Sequence, residues 1–464
     1  MAGSLAGLAG CGSDEPEVQQ GCPAEDEIRG ACAGVPQAAI CEDDACTEDV
    51  ACAGVARASS DAELQAAAAA ASPGACIALA KGTYGAVALP GGVSLLGRSA
   101  GDVTVREVAL GAGEGAVVRG LTTSMIRVRG ATGAKIASVR VRGSADSGVL
   151  VEPGSSVAVS ASTIQGAALY GLHAVDPLAV SLDGVVIAGS GAPGLWVASG
   201  ADCAEPSAQP ALDVKRSIVR DSHIAGVALF GVKAAIAGLD IRATSPGVEL
   251  LTGRYGGGLS IASCSDVEAK GLRVHDSTSY GVLVDRSKAT IGGNGLDEEV
   301  EIHRNVIGVS IQNVTESFQI ENAQIDENQG FGIGVSGGSR GVIICRSSVS
   351  RTRMKPLPTL GAGAGAEDVG HGIAWSDRSE ATITDVTLGG SALASVLIDG
   401  EASGTLHHVT LSDGDEALGI VQQNYTAGGA QPVVQAGTPA LRAAETALYP
   451  VPAPPDVLPR EIER

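Results

Sequence analysis

Aromatic side chains are scarce in this chain: 464 residues carry two Trp, six Tyr and three Phe. A conventional globular core would be short of bulk on that supply, whereas a stack of narrow repeated layers can close on Val, Ile, Leu and Ala. Long apolar runs are missing too, and no stretch reaches the roughly 18 residues that cross a bilayer as a helix. Basic clusters are absent from a chain whose formal charge is −21, so phosphate neutralisation is excluded and no nucleic-acid partner is expected. The cysteines of the first eighty residues show no C-x2-C spacing, and no His precedes His173. A zinc knuckle there is excluded on ligand supply.

What the chain has in abundance is glycine, 65 residues of it, and much of it is periodic. A unit of Gly, aliphatic, any residue, aliphatic starts at Gly148, Gly171, Gly194, Gly226, Gly258, Gly281, Gly308, Gly332 and Gly372, and Ser395 continues the series. Where no insertion intervenes the anchors stand 23 or 24 residues apart. Between anchors run further alternating pulses such as SVAVSASTI from Ser156 and DVEAKGLRV from Asp266. Three short strands in about 23 residues make one turn of a coil, and period-2 alternation sends every second side chain inward. The fold class expected is all-β: a single-stranded right-handed parallel β-helix solenoid, about 23 residues per coil, with coils about 4.8 Å apart. Leucine-rich repeats need a Leu and Asn pattern that is absent, and propeller blades are about twice as long.

The open end of such a stack needs a cover. Ser60 and Glu63 make a capping box before an Ala run that Pro73 and Gly74 end, so a helix over 60–72 is expected to cap the N-terminal coil. The boundaries that follow are a leader at 1–11, an acidic Cys-rich head at 12–59, the β-helix at 60–426, and a Pro-rich cap or tail at 427–464. From Asp61 to about Gln423, the Ala-rich helix, the Gly82-Thr83-Tyr84 strand and the anchors resemble the pectate-lyase-like right-handed β-helix superfamily. That superfamily holds lyases, hydrolases, epimerases and proteins without catalysis, so the likeness leaves function open.

The head holds eleven acids between Ser13 and Val50 against the single Arg29, which suits a solvated segment. Cys22, Cys32, Cys41, Cys46, Cys52 and Cys76 are disulfide candidates with fifteen possible pairings, and imply an oxidising compartment. Leu8-Ala9-Gly10-Cys11 resembles the lipobox of bacterial lipoproteins, with Cys11 as the acylated residue. The stretch before it lacks Lys or Arg and is short for a signal peptide. An exported protein is expected, at the outer membrane, at the cell surface or extracellular, held to membrane by a lipid anchor only.

Chemistry is harder to place. Gly370-His371-Gly372 resembles the His motif of polygalacturonases, but inverting hydrolysis needs two facing carboxylates, and the aspartate motifs that accompany that His are missing. His371 is expected to be a turn residue. Asp297, Glu298, Glu299 and Glu301 fall on an extended segment, whose alternation keeps carboxylates from converging, so no metal or cofactor is expected. If anchor+1 and anchor+3 face inward, anchor+2 faces solvent. There His173 and Trp196, with Tyr170 and Phe230 beside them, form the densest aromatic patch. Insertions at 200–210 and 245–257 flank it, the second supplying Arg254 and Tyr255, while that at 352–369 reads as a spacer. These six residues are the candidate ligand site, with a polysaccharide or another cell-envelope component as partner. The leading function is a lipid-anchored envelope protein that binds a ligand or presents a surface. The alternative is a polysaccharide lyase or glycoside hydrolase acting on the outward face.

Acylation at Cys11 is directly checkable: the mature protein should label with palmitate and partition into detergent, and Cys11→Ser should abolish both. A labelled mutant refutes the assignment.

Overall fold

The structure is a computed structural model that describes residues 50–200, 210–247, 255–293, 295, 298–359, 365–412, 419–425 and 433–459. The leader, the head up to residue 49 and Cys11, Cys22, Cys32, Cys41 and Cys46 lie outside them, while Gly54–Ala58, assigned to the head from the sequence, is a strand of the β-helix paired with Ala75–Leu79. The described chain is a right-handed parallel β-helix. Each coil runs along three faces, as three strands or, where the second and third faces are joined, as one short and one long strand, each paired in parallel with its equivalents in the coils before and after. Leu172–Val175 stands between Val149–Val151 and Leu195–Ala198, and the long strand Ala179–Ala188 lies between Ser156–Gln165 and Ala211–Arg220. The strands that begin at the glycines form one side, here termed the anchor face. The second and third faces follow it around the coil.

Anchor+1 and anchor+3 point inward as the alternation requires. Val149, Val151, Val282, Val284, Val309, Ile311, Ile333 and Val335 are all buried and belong to one aliphatic core that runs the length of the stack. The anchors are glycine because of space. A Cβ on Gly171 would sit 2.3 Å from Ile187 Cγ2 and 2.5 Å from the carbonyl oxygen of Gly194, and one on Gly258 would meet Val274 and the carbonyl of Gly281 at 2.2 and 2.5 Å.

The corners interrupt the ladder, and two devices repair it. Many corners are turned by a residue in the left-handed region: Gly, Asn or Asp at positions such as Gly189, Asn313, Asn322 and Asp385, the types that tolerate it best, and residues such as Ala243, Arg304 and His408 at others. The backbone amides at the corners then reach a side chain of the following coil. Val232 N donates to Ser265 Oγ, and Ser265 N to Ser287 Oγ, at 3.2 and 3.1 Å. At another corner Ser277 N donates to Asn305 Oδ1 and Asn305 N to Asn328 Oδ1, both at 3.0 Å. Buried backbone donors left unpaired would each cost about 1–3 kcal/mol, so these columns of Ser and Asn are part of the frame.

At the N-terminal end helix α1 (Asp61–Ala70) lies over the first coils through Leu64 and Ala68. Ser60 accepts the amide of Glu63 at 3.3 Å, while Glu63 reaches back to the amide and hydroxyl of Ser59. The returning contact thus falls one residue earlier than a strict capping box places it. Cys52 and Cys76 are disulfide-bonded, tying the start of Gly54–Ala58 to its partner strand Ala75–Leu79. Cys264 and Cys345, not among the sequence candidates, each take part in a disulfide too.

The other end departs from expectation. Val433–Ala436 and Leu441–Ala444 still pair with Ser403–His407 and Ile420–Gln423, so the repeat outlasts residue 427. Beyond it the Pro-rich segment turns back along the anchor face.

One interior position breaks the apolar pattern. Gln422, at anchor+3, is fully buried, and neither polar atom of its amide finds a partner. An unsatisfied buried amide costs about 1–3 kcal/mol. Gln422→Leu, close in volume, should therefore raise the thermal midpoint, and a fall would show that the amide is satisfied in solution.

Candidate functional site

The structure brings four of the six candidate ligand residues into one stack. Tyr170 lies over His173 with ring centroids 4.2 Å apart, Tyr170 meets Trp196 at 5.7 Å, and Trp196 meets Phe230 at 4.8 Å. Tyr255 packs at the edge, partly buried, and Arg254 lies outside the described residues. The stack is not a platform open to solvent. Trp196 is 2% exposed and Phe230 0%, and Leu458, itself buried, sits in the same cluster with Val457 against it.

Burial extends along the face from Trp196 onward, while Leu150 and His173 at its start are half-buried. Ser260, Leu283, Ser310, Ala374, Leu397 and Val421, all at anchor+2, are buried, which corrects the expectation that this column faces water. Ser310 is thus no freer than Ile311 to accept a charge. The cover is segment 448–459, which crosses the coils from the last toward the first. Gln423 Oε1 accepts the amides of Leu448 and Tyr449, and its Nε2 donates to the Tyr449 carbonyl. His371 Nε2 donates to the Pro450 carbonyl at 2.9 Å, and Gln312 Nε2 to that of Pro455 at 3.1 Å. Val451 packs on Leu397 and Val421, and Val457 also reaches the cluster of Tyr280, Leu283 and Phe331. The insertion read as a spacer supports the cover: Lys355–Pro358 pairs antiparallel with the start of Ala366–Trp375, and the Pro358 carbonyl accepts the amide of Ala453.

His371 is explained by this arrangement. Its Nδ1 accepts the amide of Ala394 while Nε2 donates to Pro450, so the ring is neutral, and burial pushes its pKa down to about 4 despite the bond to Pro450. It belongs to a column missed in the sequence: the residue just before the anchor is also Tyr170, Tyr280 and Phe331, all buried.

The third face carries the densest array of charge. His275 and His303 are ladder partners whose rings stack 4.8 Å apart and 10° from parallel. His275 meets Asp240 through Nε2 at 3.3 Å and Asp276 through Nδ1 at 2.7 Å, and Arg304 holds Asp276 at 2.8 Å. Burial works against charge on His275, but the two carboxylates outweigh it and hold its pKa above the ordinary value. Asp276 is held far below the usual carboxylate range, mainly by Arg304 and against burial, with a further bond from His275. His303 is pushed down by burial and by the charges of Arg304 and His275. The stacked pair is therefore split, with His275 holding its proton to higher pH than His303.

Next to this face, at the corner with the second face, lies a groove of about 380 Å³ lined by Glu299, Asn322, Gln324, Arg346, Asp385 and Thr387 among others. Arg346 is ion-paired with the buried Glu321, and Gln324 bonds Glu299. In the acidic turn nearby Glu298 goes to Lys270 at 2.9 Å and Glu301 to Arg273 at 3.3 Å, while Asp297 lies outside the described residues.

Residues 123–349 match the family model described as a right handed beta helix region. Among solved structures the chain is similar to the periplasmic alginate epimerase AlgG, with 13% identity and a TM-score of 0.39 over 85% of this chain and 84% of that one. It is also similar to the catalytic unit of the GH87 alpha-1,3-glucanase from Streptomyces thermodiastaticus, with 14% identity and a TM-score of 0.43 over 85% and 69% of the two chains. The A-module of the mannuronan C-5 epimerase AlgE4 of Azotobacter vinelandii gives 14% and 0.33 over 87% and 97%. No curated protein matches the chain.

The histidine pair has a pH signature. The stabilisation that His275 draws from Asp240 and Asp276 is complete below its ordinary pKa near 6.5 and is lost as pH rises through its raised folded value. His303 contributes in the opposite sense, losing stability as pH falls below about 6.5. NMR titration should place the His275 midpoint above that of His303, and Asp240→Asn should lower His275. Coincident midpoints would show that the contacts do not persist in solution.

Proposed function

We propose that the protein is an exported, lipid-anchored β-helix scaffold that binds a cell-envelope ligand without transforming it. The observation that carries this reading is the closure of the anchor face by segment 448–459. The aromatic stack that would have met a sugar is occupied by Leu458, and the face shows side-chain amides and an imidazole holding backbone carbonyls. The chemistry there is that of packing an extended peptide rather than of proton transfer, since no pair of opposed carboxylates stands on it among the described residues. The disulfides support an oxidising destination, and no helix among the described residues is long and apolar enough to cross a membrane.

With the anchor face covered, binding falls to the open polar surface. The groove at Asn322, Gln324, Arg346, Asp385 and Thr387 offers amide, carboxylate, guanidinium and hydroxyl groups together, the set that satisfies the hydroxyls of a saccharide. The ligand class is accordingly a polysaccharide of the envelope.

A chain ending at Glu445 separates scaffold from masked enzyme. Both it and the full chain should retain affinity for the same members of a panel of acidic and neutral polysaccharides, measured by affinity electrophoresis. Neither should release unsaturated products or reducing ends, and Gln324→Leu with Thr387→Val should weaken binding about tenfold or more. Products appearing only on truncation would identify a hydrolase or lyase held shut by its own segment.

A further inference from the structure

Two histidines and an aspartate meet at a corner of the last complete coils, outside the surfaces described above except for Asp385 at the end of the groove. Asp385 and His408 both lie in the left-handed region, with φ of 54° and 51°, and occupy the same corner in successive coils. The ladder pair Thr384 and His407 fixes their registry, so His408 stands directly over Asp385. The contact follows: His408 Nδ1 lies 3.1 Å from Asp385 Oδ1. His407, one residue earlier, brings its ring to within 3.8 Å of the His408 ring. One donor atom from each of Asp385, His407 and His408 lies within 4.8 Å of the others.

From this convergence we infer that Asp385, His407 and His408 form a binding site for a divalent transition metal, with zinc as its natural occupant. Two neutral imidazoles and one carboxylate suit Zn²⁺ and disfavour Mg²⁺ and Ca²⁺, which take oxygen ligands. Donors on a tetrahedral zinc, at about 2.0–2.2 Å from the metal, stand about 3.4 Å apart, so the side chains need to close by little more than 1 Å. They have the freedom, since His408 and Asp385 are more than half exposed. The coil above leaves room: Gly437 occupies the next corner, where a Cβ would press on His408 Cδ2 at 2.5 Å. The cation one corner below, Arg346, is already committed to Glu321 and does not compete for Asp385. Three protein ligands leave one position open to water or to an anionic group. The site joins two coils, so the metal acts as a clasp near the C-terminal end of the stack. It stands whether or not the groove binds a saccharide.

The experiment uses the full chain, stripped with EDTA and titrated calorimetrically with zinc chloride, beside the double variant His407→Ala/His408→Asn. Asn at 408 keeps a residue that tolerates the corner conformation, and the acidic head is identical in both proteins, so weak binding by the head cancels. One site per chain is expected in the wild type, at least tenfold weaker in the variant, with zinc raising the thermal midpoint of the wild type alone. Cobalt chloride should give visible ligand-field absorption with the wild type and none with the variant. Should the double variant melt below the working temperature, Asp385→Asn alone should still weaken zinc about tenfold. Superimposable zinc isotherms for the wild type and a folded variant, or a wild type without cobalt absorption, would overturn the inference.

Discussion

The close approach of one coil to the next at the anchor glycines governs the rest of the molecule. At Gly148, Gly194, Gly226 and Gly332, as at Gly171 and Gly258, any Cβ would lie 2.2–2.5 Å from an aliphatic methyl of the adjoining third-face strand. The chain can close its triangle only where that atom is missing, so one glycine per coil sets where each turn begins. Once the start is set, alternation fixes which side chains enter the core, and the corner Ser and Asn come into line with the amides they must satisfy. Register, core and corner ladders are consequences of one steric condition repeated at intervals of a coil.

Such a condition is visible in a sequence because it is local and periodic. The inward columns of Val149, Ile311 and Val335 could be read from spacing alone, as could the cap through Ser60 and Glu63. The state of anchor+2 could not, because its cover comes from later residues that do not repeat, 30 positions on from Val421 and 262 from Trp196. Val451, Val457 and Leu458 sit among prolines in a stretch that composition marks as irregular, and only the apolar residues hint that it needs a partner. The His275 and His303 pair was hidden differently. Residues 292–299 lengthen that coil, so the two lie 28 apart and fall out of phase with the anchors. Asp385 and His408 keep the 23-residue interval and could have been found by following corner positions rather than strand positions.

The three faces divide the labour unevenly. The anchor face joins coil to strap through aliphatic and aromatic packing with a few directed hydrogen bonds. The third face holds its charge in interlocked pairs such as Asp276 with Arg304 and Arg273 with Glu301. These are largely exposed, and each adds little to stability. They do make that side a polar, solvated surface, suited to recognition by hydrogen bonds.

A solenoid is ordinarily a chain of neighbours, in which an end can fray without the middle sensing it. Segment 448–459 changes the connectivity, because it touches Gln423, His371, Gln312 and Trp196 in turn and so ties distant coils to one another. It also follows all of those coils in sequence. While the chain emerges, the coils can stack as they appear, but the aromatic surface around Trp196 stays bare until the strap has been made. The newly synthesised molecule therefore passes through a sticky, nearly complete stage, one that a chaperone or a slow passage across a membrane would have to shelter.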